Sequence, residues 1–164
     1  MENHPTPVVP TLFPYQETLG FDVLAWEPGR IRLGLSPKPE LLDETAHLSR
    51  GVLASLLDAA TGLAACHGDD LENRPLIVTL GLTTQHLQSC PPTYVDTTAC
   101  ILHRDGKILL SEGEVRLEDG TLIAKATANL RYIIEPPEGQ SVLNVPFPTA
   151  KSRPSDARIS TSAE

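Results

Sequence analysis

A single carboxylate, Asp58, lies near the middle of the longest apolar run in the chain. The run extends from Ser49 to Cys66 and is rich in leucine and alanine, which favours a helix over a strand. Apolar residues fall on nearly every side of this helix, so we expect it to be buried. An ionised carboxylate in such surroundings needs a partner, solvent or a chemical role. Asp58 is therefore a candidate general base or nucleophile, and a structural carboxylate bonded to Ser55 or Thr61 is the alternative.

Gly51 falls in the first turn of the same helix, where backbone N–H groups have no partner within the helix. Such an N–H, aided by the helix dipole, can polarise a carbonyl oxygen, and a glycine lets a substrate approach closely. Tight packing is the alternative reason for a glycine at this position. Gly51 and Asp58 are two turns apart on one face, roughly 10 Å along the axis. One carbonyl group cannot contact both residues, so a site that uses both requires at least a dimer.

The elements that must position these residues are read from hydrophobic alternation and turn signals. Strands are predicted before the helix over residues 21–26 and 30–35, and after it over 76–87, 94–102, 107–117 and 121–134. Asp105-Gly106 and Asp119-Gly120 predict hairpin turns, and a short helix over 11–19 is expected to end at Gly20. The economical arrangement is α+β: one antiparallel sheet, its last four strands in a meander, curled around the central helix.

Composition limits the classes of function. The 164 residues suit one domain, and the net charge of −8 argues against nucleic acid or an anionic membrane as a general partner. Three cysteines without metal-ligand spacing predict buried thiols in a reducing cytoplasm and no metal site. No signal peptide or membrane span is predicted. We expect a flexible N-terminus over residues 1–11, one domain over 12–135 and a mostly disordered tail over 136–164.

Two segments carry a resemblance to a known family: G-V-L-A-S-L-L-D-A-A over residues 51–60, followed by V-R-L-E-D-G-T-L-I-A-K-A-T-A over 115–128. With the predicted strands around them, residues 12–135 resemble the hotdog-fold acyl-CoA thioesterases of the phenylacetate-degradation, or PaaI-like, type. In that family the central helix usually begins with His-Gly-Gly and carries a catalytic Asp at the spacing from Ser49 to Asp58.

This chain keeps some of the family's residues and changes others. Gly51 and Asp58 are retained, whereas Ser49 and Arg50 stand where the family has His and Gly. Asp43 stands where the family typically has an Asn.

The resemblance implies hydrolysis of an acyl-CoA to free acid and CoA, without a cofactor, at a site shared between subunits of a homodimer. Dimers of such proteins can pair into tetramers. Asp58 of one subunit and the Gly51 N–H of the other would act on the thioester, and the Thr79 hydroxyl would orient water. The candidate substrate-binding residues are Asp43, His47, Ser49 and Arg50.

Each of these residues also has an ordinary structural explanation. Ser49 is a good helix N-cap, Thr79 a common strand residue, and Asp43 a typical exposed loop acid. A second hypothesis for the whole chain is a hotdog protein that binds an acyl thioester or another apolar ligand without hydrolysing it. The changed first turn of the helix favours this second hypothesis, and the retained Gly51 and Asp58 oppose it.

Overall fold

The computed structural model describes residues 13–68 and 74–135 of the chain. In chain order its elements are α1 (Pro14–Leu19), β1 (Asp22–Glu27), β2 (Arg30–Leu35), a 3₁₀ turn (Pro39–Leu41), α2 (Arg50–Ala65), β3 (Leu76–His86), β4 (Val95–Asp105), β5 (Ile108–Leu117) and β6 (Leu122–Ile134). All predicted helices and strands are confirmed, with ends that differ by a few residues. The expectations for residues 1–11 and 136–164 lie outside the described residues.

The six strands form one antiparallel sheet in the order β1-β2-β4-β5-β6-β3, and α2 packs against one face of it. The expected meander of four strands is wrong, because β3 pairs with β6 at the far edge instead of with β4. The difference has a local cause. Asp-Gly turns join β4 to β5 and β5 to β6, with Gly106 and Gly120 at positive φ, whereas Pro91-Pro92 and no hairpin signal lie between β3 and β4.

The helix α2 packs closely against the sheet at Gly113 of β5. A Cβ atom at Gly113 would lie 3.2 Å from the Leu57 side chain and 3.3 Å from the Thr61 side chain, so a larger residue would push the helix away. The face of α2 that meets the sheet is fully buried, through Leu53, Leu56, Leu57, Ala60 and Ala64. Burial of this face fixes how the helix is rotated, and therefore which of its residues point away from the sheet.

The opposite side of α2 is open, which corrects the expectation that the helix is buried all round. Gly51 and Asp58 are exposed in the chain taken alone, and Ser55 and Gly62 are half-buried. These four residues, spaced by four, three and four positions, form one stripe along the helix, which we call the open stripe. Solvent along this stripe is what accommodates the Asp58 charge in an otherwise apolar helix. No helix among the described residues is long and apolar enough to cross a membrane.

Candidate active site

Asp58 and Thr79, which the sequence proposed as partners in one reaction, are in contact. The Thr79 hydroxyl on β3 donates a 3.2 Å hydrogen bond to Asp58 Oδ1. The alternative partners on the helix do not bind this carboxylate. Ser55 donates instead to the backbone oxygen of Gly51, and Thr61 donates to backbone oxygens one turn before it. Within residues 13–68 and 74–135, the carboxylate is therefore held by one hydroxyl from the sheet, and Asp58 is exposed.

The first turn of α2 is capped by Ser49, whose Oγ accepts a 3.3 Å hydrogen bond from the Gly51 N–H. Ser49 thus has the capping role that its residue type favours, and its contact with a substrate stays a prediction. A Cβ added at Gly51 would meet, among the described residues, only Ser49 Oγ, at 3.6 Å. Packing among the residues that the structure describes therefore does not require a glycine here. Close approach by a substrate or by a second subunit stays a prediction for this position.

A contact that the sequence did not reveal joins α1 to the open stripe. The Tyr15 hydroxyl of α1 lies 2.8 Å from Ser55 Oγ of α2. The two residues are 40 positions apart: Ser55 belongs to the first motif that carries the family resemblance, whereas Tyr15 lies outside both motifs. Gly20, which ends α1 in a left-handed conformation, was the sequence signal for this helix, but nothing in the sequence indicated where the helix would pack.

A cavity of about 280 Å³ opens beside Asp58 between α1, α2 and β3. Its apolar wall consists of Leu19, Ala54, Ala59 and Leu82. Tyr15 and Asp58 border the same space. The cavity therefore combines an apolar wall, suited to hydrocarbon, with a carboxylate at its edge.

The Asp43 carboxylate is occupied by its own loop. Its Oδ1 accepts hydrogen bonds from the Thr45 N–H (2.8 Å), the Thr45 hydroxyl (2.7 Å) and the His47 N–H (3.1 Å). These bonds, that of the Thr45 hydroxyl first, lower the pKa of Asp43. His47 Nδ1 lies 3.0 Å from the Thr45 carbonyl oxygen, which can only accept, so Nδ1 carries the proton. Among the described residues no hydrogen bond joins Asp43 or His47 to Asp58 or Gly51, and their contact with a substrate stays a prediction.

Arg50, at the start of α2, acts electrostatically on His86 at the end of β3. Arg50 is exposed as the first residue of the helix, and His86 is the last residue of β3. Burial lowers the pKa of His86, and the nearby Arg50 charge lowers it further. His86 Nδ1 is buried and has no hydrogen-bond partner in the described part of the chain. Sequence reasoning gave His86 no role, and the role of Arg50 in binding a substrate stays a prediction.

The cysteines do not compete with Asp58 for the role of nucleophile. Cys66, Cys90 and Cys100 are free thiols, and burial raises the pKa of each, that of Cys66 to about 11. Thiols with raised pKa values are largely unreactive at neutral pH. Within residues 13–68 and 74–135 no group of three His, Cys, Asp or Glu side chains could hold a metal ion.

No protein-family model matches the chain, and no curated protein sequence matches it significantly. Solved structures do match. A conserved protein of Pseudomonas aeruginosa is 25% identical with a TM-score of 0.68, over 74% of this chain and 95% of that one. A thioesterase family protein of Silicibacter pomeroyi is 23% identical with a TM-score of 0.67, over 74% of this chain and 90% of that one.

A variant of the phenylacetic acid degradation protein PaaI of Thermus thermophilus is 22% identical with a TM-score of 0.63. The match covers 73% of this chain and 98% of that one. These identities support a shared fold, so the chemistry of the site must be argued from the residues of this chain. The predicted α+β architecture is confirmed: the chain has the hotdog fold, and its structural neighbours include a thioesterase family protein and PaaI.

Proposed function

We propose that this protein is an acyl-CoA thioesterase, which hydrolyses an acyl-CoA to the free acid and CoA. The proposal depends above all on the Asp58 carboxylate, which is hydrogen-bonded to Thr79 and borders a cavity with an apolar wall. That wall suits an acyl chain, and a carboxylate at the edge of the cavity suits the thioester carbonyl that follows the chain. The structural neighbours that are named as a thioesterase and as PaaI support the same reaction class.

The reaction assigned to the site needs a base or nucleophile and a donor to the oxyanion. As a base, Asp58 takes a proton from water while the water oxygen bonds to the thioester carbon; as a nucleophile, it bonds to that carbon itself. In both routes the carbonyl oxygen becomes an oxyanion, the C–S bond then breaks, and CoA leaves as a thiolate that takes up a proton. The base route releases the free acid directly. In the nucleophilic route the acyl group is left on Asp58 as a mixed anhydride, which water hydrolyses to release the acid and restore the carboxylate. Thr79 occupies Oδ1 of the carboxylate and leaves Oδ2 for the reaction.

The second half of the site is assigned to the Gly51 N–H of another subunit. Helix N–H groups point toward the N-terminus of the helix, so an oxyanion bound at Gly51 lies beyond the start of α2. That direction adds about 3 Å to the roughly 10 Å that already separate Gly51 from Asp58 along the axis. A carbonyl at Gly51 is thus out of reach of Asp58 in the same chain.

The edge strand β3 supports a homodimer. It has 11 residues, and among the described strands it pairs only with β6. Leu76, Val78 and Leu80 on this strand are exposed at 42%, 41% and 56% of their surface. A long, apolar edge strand is a typical place for another chain to continue the sheet. We assign this edge to the dimer interface, and pairs of dimers can form tetramers.

Binding of the CoA part is assigned to the start of α2 and the loop before it. Arg50 is an exposed cation next to Gly51, where it can pair with a phosphate. Ser49, His47 and Asp43 complete the proposed contacts. Free cysteines support a cytoplasmic location.

The test of the function is release of free thiol from a panel of acyl-CoAs by the purified protein. Asp58→Asn should lower kcat by at least about 10²-fold, because it removes the base or nucleophile. The fold should persist, since the side chain is exposed and the amide has the same shape. Asp105→Asn is the matched control, an exposed carboxylate at the end of β4. Equal turnover by the wild type and a folded Asp58→Asn protein would show that Asp58 is neither the base nor the nucleophile.

A non-hydrolytic protein that binds acyl thioesters is the second candidate, and one observation favours it. The Gly51 N–H that would bind the oxyanion is engaged by Ser49 Oγ, although at a long 3.3 Å. Calorimetric titration with acyl-CoA, combined with the thiol assay, separates the two functions. Binding without release of thiol by the dimeric wild-type protein would establish the second candidate.

A further inference from the structure

The direction of the hydrogen bond between Tyr15 and Ser55 can be assigned from the groups around it. Ser55 Oγ lies 2.9 Å from the carbonyl oxygen of Gly51, which can only accept. The single hydroxyl hydrogen of Ser55 is therefore used in that bond. Tyr15 Oη lies 2.8 Å from the same Ser55 oxygen. Both bonds form together only when Tyr15 donates and Ser55 accepts.

This direction decides what Tyr15 can offer to a ligand in the cavity beside Asp58. With its hydrogen committed to Ser55, the Tyr15 oxygen keeps its lone pairs and acts only as an acceptor. Gln16 lines the same cavity, and its side-chain oxygen accepts a 3.1 Å hydrogen bond from the Phe13 N–H. The amide NH₂ of Gln16 therefore remains as a hydrogen-bond donor for a ligand. Two residues at adjacent positions of α1 that line the cavity thus have an acceptor and a donor left for a ligand.

We propose that Tyr15 is a specificity-determining residue that selects acyl groups bearing a hydroxyl, an inference that rests on the proposed thioesterase function. A hydroxyl donates to the Tyr15 oxygen and can accept from the Gln16 amide, whereas a methyl group in its place does neither. The acyl carbons pack against the apolar wall, which includes Leu19 and Leu82. The Ser55 bond holds Tyr15 in the accepting state, so Ser55 is a positioning residue.

The preference should be moderate, because Tyr15 is 61% exposed. A hydroxyl that binds there exchanges a hydrogen bond with water for one with the protein. Such an exchange corresponds to about threefold to tenfold in kcat/KM. Full burial of the pair would give a much larger factor, because the unpartnered group would then be cut off from water.

The experiment uses pairs of thioesters that differ only in a hydroxyl for a methyl group. The first pair is 3-hydroxybutanoyl-CoA and 3-methylbutanoyl-CoA, and the second carries the same change one carbon further out. In at least one pair the wild type should favour the hydroxyl by about threefold to tenfold in kcat/KM. Tyr15→Phe keeps the ring and removes the oxygen, so the ratio should fall to about one. Tyr94→Phe, which removes a tyrosine hydroxyl beside Gly34 of β2, should leave the ratio unchanged.

A second variant tests the assigned direction of the bond. Ser55→Ala frees the Tyr15 hydrogen, so Tyr15 can then donate to an acceptor. The kcat/KM for 3-oxobutanoyl-CoA relative to 3-methylbutanoyl-CoA should rise by about threefold in Ser55→Ala over wild type. A role of Ser55 in folding alone would lower both rates together.

The outcomes separate this inference from the function on which it rests. Wild-type hydrolysis of both members of each pair at equal rates overturns the hydroxyl preference and leaves the thioesterase function standing. A preference that survives Tyr15→Phe overturns the assignment to Tyr15. No release of thiol from any acyl-CoA by the wild type overturns the thioesterase function, and this inference with it.

Discussion

Two variants that are inactive by themselves, Asp58→Asn and Gly51→Val, should restore activity when their subunits are mixed. Each homodimer carries the same defect in both of its sites. If each site takes Asp58 from one chain and Gly51 from the other, as proposed, a mixed dimer has one site with both defects and one site with neither. Both variants should fold. Asp58 is exposed, and a Cβ at Gly51 would lie 3.6 Å from its nearest neighbour among the described residues, which is an ordinary contact.

The size of the rescue follows from the geometry. Random exchange of equal amounts gives about half mixed dimers, and half of the sites in a mixed dimer are intact, so the mixture should reach about a quarter of wild-type activity. A site within one subunit predicts no rescue, since every chain then carries a defect in its own site. The expected contrast is therefore between about a quarter of wild-type activity and the background of the separate variants, which for Asp58→Asn is at least about 10²-fold lower than wild type.

The assay is thiol release after exchange under mild denaturant, with exchange confirmed by differently tagged subunits. A wild-type sample taken through the same exchange is the control for losses in refolding. Sedimentation should show dimers or larger assemblies throughout. A stable and active wild-type monomer would refute the shared site, and so would confirmed mixed dimers with background activity only.

Two further predictions concern the hydrogen bonds of the candidate site. Thr79→Val should lower kcat about threefold to tenfold, because it removes the hydrogen bond that holds the Asp58 carboxylate. Thr79→Ser keeps the hydroxyl and should keep the wild-type kcat. Equal losses of kcat in both variants would show that the Thr79 hydroxyl does not cause the effect. The hydrogen bonds from the Thr45 hydroxyl and from the other loop groups lower the pKa of Asp43 in the folded protein. These bonds therefore stabilise the folded state fully above the usual Asp pKa of about 3.9. That stabilisation is lost as the pH falls through the lower pKa of the folded state. Asp43→Ala should accordingly lower the Tm at pH 7 and do so less at pH 3, and a Tm difference that grows on acidification would contradict this account.

The sequence predicted the elements well because each has a strong local signal. The Asp-Gly turns and the alternation in β2 identify strands without any knowledge of the rest of the chain. The position of β3 had no such signal. The position of β3 depends on which edge of the sheet the chain reaches after α2, and that is decided by how the whole molecule packs. The meander prediction therefore failed at this strand alone.

The candidate site shows the same division between local and tertiary information. Asp58, Gly51 and Ser49 could be proposed as candidates from the sequence because they lie close together on one helix. The exposure of Asp58 could not be predicted, because the residues around it on the helix are mostly apolar by type although they are small. The rotation of α2 that packs it against Gly113 is what turns this side of the helix away from the sheet. Tyr15 was missed because its partner is 40 residues away in the sequence.

The spacing of Gly51 and Asp58 bears directly on how two subunits would meet. Seven residues are close to two turns of helix, so the two residues return to the same stripe at opposite ends of a segment roughly 10 Å long. Under the proposed two-fold symmetry, the two copies of α2 would lie antiparallel, with their open stripes facing each other. Gly51 of each chain would then lie opposite Asp58 of the other chain. Both sites would then form at once, because an isologous interface repeats each contact in the reverse sense. The spacing that excludes a site in one chain is thus the spacing that a pair of equivalent sites requires.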